Sequence, residues 1–274
     1  MTVNPSSDKV AYNQGLDLIK NNGIIDFSML IIAKRRSGKN VLLKDLISRI
    51  YQDYENIYLF SNTIDMPTNQ ELYDFIPKEN KFLPRIDIVN DLVTTQKSNP
   101  NRPHIMFIFD DFINDKAVKN AKEFSDLFIL GRHYSIAVIA LSQSFSRKEV
   151  FGKTTRSNCD YIITFKPGSE LDYSVLHEDY LSGIIINNKP LTFNETVTLI
   201  SKITSVAYRA LIIDNTKTDG DLHSIIHSDV ARIHIPKFIS SQCPDNKGTT
   251  VKSSQILDEP VYNFVKPEYS NPKI

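Results

Sequence analysis

FSMLIIAKRRSGKNVLLKDLISRI, residues 27–50, is the stretch on which the fold turns. Phe27 to Ala33 is a short apolar run that ends abruptly in charge, the pattern of a strand buried on both faces. From Val41 the apolar period changes. Val41, Leu42, Leu43, Leu46, Ile47 and Ile50 make a stripe at helical spacing, with Lys44, Asp45, Ser48 and Arg49 between them. Ala33 to Asn40, AKRRSGKN, joins the two. Its Gly38 and Lys39 match the GxxxxGK[ST] phosphate-loop pattern in the context that pattern requires, after a strand and opening a helix. Such a loop needs small residues so that backbone N–H groups can approach phosphate oxygens, and the helix adds its positive end. The expected nucleotide contacts are Ala33, Lys34, Arg35, Arg36, Ser37, Gly38, Lys39, Asn40 and Val41, with Lys39 reaching the β- and γ-phosphates. The competing reading is a basic surface loop that contains Gly-Lys by chance.

Two positions depart from the pattern. Ala33 replaces the first glycine, a mild change. Asn40 replaces the Ser/Thr whose hydroxyl ordinarily binds Mg²⁺. Its amide oxygen can touch the metal or hold one of its waters, but the side chain is longer. Nucleotide binding should tolerate this better than turnover does.

Working outward, the next informative segment is Ile105 to Phe112, IMFIFDDF, about 70 residues downstream of the loop. An apolar strand ending in acid suits a Mg²⁺-holding residue, Asp110, followed by a carboxylate, Asp111, that orients or polarises water. Alone this pair resembles a helix cap; with the upstream loop it is specific. Ile136 to Leu141, IAVIAL, is a further buried strand, and Gln143 just past it is placed to sense a γ-phosphate. Arginines suited to neutralising charge on a neighbouring subunit's nucleotide are Arg132, Arg147 and Arg156. Asn56 to Phe60, Tyr161 to Phe165 and Tyr208 to Ile213 read as strands. Helices are expected at Ile86 to Thr95, Ala117 to Leu130, Leu171 to Leu181 and Glu195 to Ile203. Residues 65–85 read as loop with one helical turn. Alternating strands and helices imply an α/β fold with a mainly parallel sheet flanked by helices. Ligands in such sheets bind beyond the carboxyl ends of the strands.

The bulk composition sets limits. Formal net charge is zero, so a nucleic-acid partner would have to meet a local basic patch. Cys159 and Cys243 form no CxxC pair and read as free thiols. His223 and His227 would share a helix face but lack a third ligand for zinc. The polar N-terminus and the absence of an 18-residue apolar run predict a soluble, intracellular protein without a membrane span. Residues 1–25 read as a polar lead with one amphipathic stretch, Leu16 to Ile19, 26–235 as the globular domain and 236–274 as an extended or disordered tail. Five of the thirteen prolines fall in that last segment.

AKRRSGK, IMFIFDDF, GRHYSIAVIALSQS and RSNCDYIITF, in that order, resemble the FtsK/HerA superfamily of RecA-like P-loop NTPases. They are most similar to the poxvirus-type genome-packaging ATPases of large DNA viruses and virophages. Gly131, Arg132, Ile136, Gln143 and Asn158 follow that superfamily's order of glycine–arginine, strand, glutamine and asparagine. The resemblance spans roughly residues 27–214. It implies a homo-oligomeric ring, usually a hexamer, that uses ATP and Mg²⁺ to drive double-stranded DNA into a preformed capsid. It also implies a capsid or portal-type docking partner, and a place in the host cytoplasm at the viral assembly site or in the virion. By matched position, Lys39 is the phosphate lysine, Asp110 the Mg²⁺ acid (with Asn40 beside it), Asp111 the catalytic carboxylate and Gln143 the sensor. Arg132 and Arg156 are the candidate arginine fingers.

Three other readings compete. One is a related motor for chromosome or plasmid transfer. Another, motivated by Asn40, is a nucleotide-binding assembly protein with little hydrolysis. The third is a GTPase switch, because Thr216 to Asp219, TKTD, fits the [NT]KxD guanine-reading pattern. Against the switch, Ile113 stands where DxxG would need glycine. Basic residues between Lys148 and Lys153 are candidates for gripping DNA.

Overall fold

In the computed structural model the described residues are 15–112, 121–145 and 151–232. The chain separates after Ser240 into a main unit and a C-terminal unit, Ser241–Ile274, which lies outside the described residues, as do Arg147 and Cys243. The elements run α1 Gly15–Asn21, β1 Ser28–Ile32, α2 Lys39–Ile50, β2 Asn56–Ser61, α3 Pro67–Leu72, β3 Lys81–Phe82, α4 Ile86–Ser98 and β4 Ile105–Asp110. They continue with α5 Lys122–Leu130, β5 Ile136–Ser142, α6 Lys153–Ser157, β6 Tyr161–Thr164, α7 Glu170–Leu176, a hairpin of β7 Ile185–Ile186 and β8 Lys189–Pro190, α8 Phe193–Ile203, β9 Arg209–Asp214, α9 Leu222–Ile225 and β10 Ile226–Val230.

The main sheet orders its strands β10-β9-β6-β1-β5-β4-β2-β3. From β3 to β6 every pairing is parallel. β9 and β10 are antiparallel additions at one edge. β1, β4 and β5 are buried at every residue, which is why they read as unbroken apolar runs. Alternation along each strand feeds two cores. Phe107, Phe109, Val138 and Ala140 face the layer holding α4, α5, α7 and α8, whereas Met106, Ile108, Ala137 and Ile139 face the layer holding α1 and α2. The mainly parallel α/β sandwich expected from the sequence is therefore present.

Several local expectations need correction. The segment read as a polar lead supplies α1, whose Leu16 and Ile19 are buried against α2's side of the sheet. The Leu16 amide donates to Asp229 Oδ2 at 2.9 Å, so the core starts well before residue 26. Tyr208–Ile213 supplies an antiparallel strand, and β10 follows it; Ser228 and Asp229 interrupt that last strand's apolar pattern. His223 and His227 do not share a helix face, because β10 begins at Ile226, and His227 Nε2 lies 2.8 Å from the Ser224 carbonyl. Cys159 is buried, as a packed thiol should be, and desolvation pushes its pKa well up. Among the described residues there is no cluster of three or more potential metal-ligating His, Cys, Asp or Glu, and no helix is long and apolar enough to cross a membrane.

Candidate functional site

The loop after β1 is shaped by left-handed backbone. Arg36 has φ 62° and Gly38 φ 93°. Alternating hands of this kind turn successive N–H groups to one side and make an anion-binding concavity. Gly38 is the residue before α2, and the Leu42 amide donates back to its carbonyl at 2.9 Å. Ala33 needs no such freedom: its φ is not positive, and its amide donates to the Ser142 carbonyl at 3.0 Å, tying the loop to the end of β5. Alanine in place of the first glycine is thus accommodated. Arg35 and Arg36 are exposed. Lys34 turns away, and its Nζ donates to the Gly168 carbonyl at 3.3 Å. A β-carbon at Gly168 would overlap Lys34 Cε, so any other residue there would make the flexible end of Lys34 shift.

β4 lies two strands from β1 and delivers Asp110 and Asp111 to the same end of the sheet. Asp110 is fully buried. Its Oδ2 accepts from the Tyr73 hydroxyl at 2.8 Å, and its Oδ1 has no protein partner. Burial pushes its carboxyl above the usual range, and the charge of Asp111 adds to this; Lys39 and the Tyr73 hydroxyl oppose it. The Lys39 charge is therefore felt at Asp110, as a site shared by the two requires. Asn40 Oδ1 and Ser37 Oγ are likewise buried without a protein partner. Unpaired buried oxygens are costly, and they accumulate where a ligand completes them. Oxygen donors on Asn40 and Asp110 suit a hard divalent cation.

Asp111 sits at φ 48°, an uncommon backbone for this residue, and is held there from the turn after β2. Asn62 Nδ2 donates to its carbonyl at 3.1 Å, and Thr63 Oγ1 to its Oδ2 at 3.4 Å. Phe112 is buried in an aromatic cluster with Phe109 and Phe124, anchoring the chain just beyond the acids. Gln143 follows β5 at the same end. Its loop is fixed by Asp172, whose Oδ1 accepts from the Phe145 amide at 3.1 Å and whose Oδ2 accepts from Ser169 Oγ at 2.9 Å. Tyr73, Asn62, Thr63 and Asp172 belong to no motif in the sequence. Their only local signal is a polar or aromatic residue next to an element end.

The arginines divide. Arg156 is buried; its Nε donates to Asp179 Oδ2 at 2.8 Å and its Nη1 to the Phe151 carbonyl at 2.7 Å. A guanidinium spent on internal contacts cannot be presented to a neighbour, so the finger role expected for Arg156 does not fit its place. Arg132 is exposed in the turn before β5, at the amino ends of the strands. It lines a cleft there with Asp26, Asp160, Asn215 and Thr216. Thr216 to Asp219 follow β9, which runs antiparallel and ends level with the start of β6. TKTD is consequently at the opposite end of the sheet from the phosphate loop and cannot read its base. Of the basic residues from Lys148 to Lys153, the stretch 146–150 lies outside the described residues, and Lys153 is exposed at the start of α6.

A left-handed phosphate loop between a central strand and a helix, with two acids ending a nearby parallel strand, defines a P-loop NTPase fold. Residues 19–235 match the family model described as Poxvirus A32 protein, and the chain belongs to that family. The resemblance to poxvirus-type packaging ATPases is thereby borne out. An uncharacterized protein of Acanthamoeba polyphaga mimivirus is 23% identical over 218 residues, covering 72% of this chain and 70% of that one. Among solved structures, the DNA-packaging ATPase B204 of Sulfolobus turreted icosahedral virus is similar in fold. It has TM-score 0.52 and 15% identity, with 75% of this chain and 98% of that one covered. The genome-packaging NTPase B204 of Sulfolobus turreted icosahedral virus 2, in complex with AMPPCP, has TM-score 0.51 at 15% identity, with 74% and 97% covered. The pCW3 conjugation coupling protein TcpA with ATPγS has TM-score 0.50 at 13% identity, with 75% of this chain and 60% of that one covered.

Proposed function

We propose that this chain is a Mg²⁺-dependent ATPase that drives double-stranded DNA into a viral capsid, working as a homo-oligomeric ring docked on a capsid or portal-type protein. One observation carries the reading: the left-handed loop 33–40 and the strand-end acids Asp110 and Asp111 meet at one end of the sheet, with buried oxygens left unpaired between them. Membership of the poxvirus A32 family supports the packaging role. So does the likeness in fold to B204, which is a DNA-packaging ATPase.

In this reading the backbone N–H groups of the loop and the Lys39 ammonium hold the β- and γ-phosphates. Asn40 and Asp110 hold Mg²⁺, which neutralises charge building on the phosphate oxygens. Asp111, fixed by Asn62 and Thr63, accepts a proton as water attacks the γ-phosphorus and the bond to the β-phosphate oxygen breaks. Gln143 registers the terminal phosphate. Arg132, exposed at the far end of the sheet, serves the nucleotide of the next subunit in the ring. The site of action is the host cytoplasm, where capsids assemble.

The test is ATP hydrolysis by the purified full chain with Mg²⁺, with and without linear double-stranded DNA. Turnover should rise with DNA and vanish in Lys39→Ala. Asn40 favours a second reading, a nucleotide-binding assembly protein with little hydrolysis. Intact ATP binding with near-zero, DNA-independent turnover would select that reading and reject the motor.

A further inference from the structure

Tyr208 is a large aromatic residue that the catalytic reading leaves unused. It is 63% exposed and is held at φ 61° immediately before β9. A bulky side chain in left-handed backbone is a genuine outlier, and such strain persists where the surroundings hold it in place. Its ring lies on the phosphate loop. A β-carbon added to Gly38 would sit 3.1 Å from Tyr208 Cδ1 and 3.9 Å from Phe165 Cε1.

The sheet gives this contact a direction. β1 and its loop are central. On one side lie β5 and β4, carrying Gln143, Asp110 and Asp111; on the other lie β6 and β9, carrying Phe165 and Tyr208. Neighbouring strands are about 4.8 Å apart, so the outer strands of the two groups, β4 and β9, are each roughly 10 Å from β1. A nucleoside triphosphate whose terminal phosphate faces the acids has its sugar and base leaving toward β6 and β9. β9 runs antiparallel, so its first residues, and not its last, reach the site end of the sheet.

We propose that the Tyr208 ring is the stacking platform for the nucleobase of the bound nucleoside triphosphate. The inference rests on the nucleotide-binding reading above. An aromatic face accepts any base, so it supplies affinity for the nucleoside part without selecting its hydrogen-bonding edge. It also makes the Gly38 contact two-sided: the ring closes over the loop that holds the phosphates while its exposed face meets the base.

The experiment titrates the full chain with Mg²⁺ and either ATP or inorganic tripolyphosphate, which keeps the phosphates and lacks the base. Tyr208→Asn removes the ring but tolerates the left-handed backbone; Tyr208→Leu keeps apolar bulk without the π face; Tyr208→Phe keeps the face. In Asn and Leu variants ATP binding should weaken on the order of tenfold, with tripolyphosphate binding unchanged. Phe should bind both as wild type does. Equal weakening of both ligands, or no weakening of ATP, overturns the platform, because the ring would then only pack the loop or serve another surface. A wild-type chain that binds neither ligand overturns the phosphate-loop reading itself, an outcome distinct from the other two. If either the Asn or the Leu variant does not fold, the other and Tyr208→Phe still give opposite expectations for ATP; if Tyr208→Phe does not fold, wild type takes its place in the comparison.

Discussion

Asp45 and Asp110 are both fully buried, and they are held in opposite ways. Asp45, on α2, has both oxygens satisfied. Oδ1 accepts from Arg49 Nε at 3.2 Å and from Arg232 Nε, while Oδ2 accepts from Arg49 Nη2 at 2.9 Å and from the Arg232 amide at 2.8 Å. Burial works against its ionisation, but the hydrogen bonds from Arg49 and Arg232 outweigh burial and hold its carboxyl below the usual range. Asp110 has one donor, Tyr73, and one bare oxygen, and its carboxyl is pushed up. The first acid closes an internal network that joins α2 to the end of β10 and, through Arg49, to Asp17 of α1. The second keeps a demand for positive charge that Lys39 and the Tyr73 hydroxyl do not fully meet. A buried acid that costs the fold something points to a ligand; one that is fully paired points to architecture.

Substitution breaks this comparison most sharply at Asp110. Asp110→Asn removes the charge but keeps an oxygen for Tyr73. ATP hydrolysis should fall by more than about 100-fold, since the charged oxygen that would hold Mg²⁺ against the phosphates is lost. The variant should melt no lower than wild type in a thermal scan, because the lost charge was unpaired. A clear drop in melting temperature with activity retained would reverse the assignment.

Asp45→Asn should do the opposite. It leaves Arg49 and Arg232 facing a neutral amide, which should destabilise by about 3 kcal/mol, near the low end for breaking a buried pair. The pH sign follows from the lowered carboxyl. The Asp45 contribution is complete above its unfolded value of 3.8 and is lost as pH falls through the lower folded value. Urea unfolding should therefore show the full gap between variant and wild type at neutral pH and a smaller one below pH 3.8. A gap that stays constant across that range would mean the ion pairs contribute nothing.

The same contrast explains what was legible in the sequence. β1, β4 and β5 announce themselves because strands buried on both faces are unbroken apolar runs, and the residues just past their ends must then be the site. Gly38, Lys39, Asp110, Asp111 and Gln143 are found this way. Tyr73 and Tyr208 are not, because each reaches the site from an element placed by the chain's path across the sheet. Tyr73 follows a six-residue helix in a proline-containing stretch, and nothing local says that its hydroxyl meets a residue 37 positions later. TKTD shows the converse. A four-residue pattern satisfied the local rule, but β9 runs antiparallel and carries it to the wrong end of the sheet. Asp45 was equally opaque: it sits among the polar residues of an amphipathic stripe and reads as solvated, yet Arg232 comes back from far along the chain to bury it.

Tyr73 gives the finest division between the two kinds of acid. Its hydroxyl is the link between Asp110 and the surrounding core, where the tyrosine ring is itself buried beside Phe75. Tyr73→Phe removes one oxygen and leaves the packing. If Asp110 were architectural like Asp45, this loss would appear mainly as stability. If Asp110 is held ready for a cation, it should appear mainly as a higher Mg²⁺ requirement. An outer partner that orients a metal ligand accounts for roughly tenfold in metal affinity. We therefore expect the Mg²⁺ concentration at half-maximal ATPase activity to rise about tenfold, while denaturant stability falls by less than about 1 kcal/mol. Unchanged Mg²⁺ dependence with a larger loss of stability would place Tyr73 in the core alone and remove it from the site.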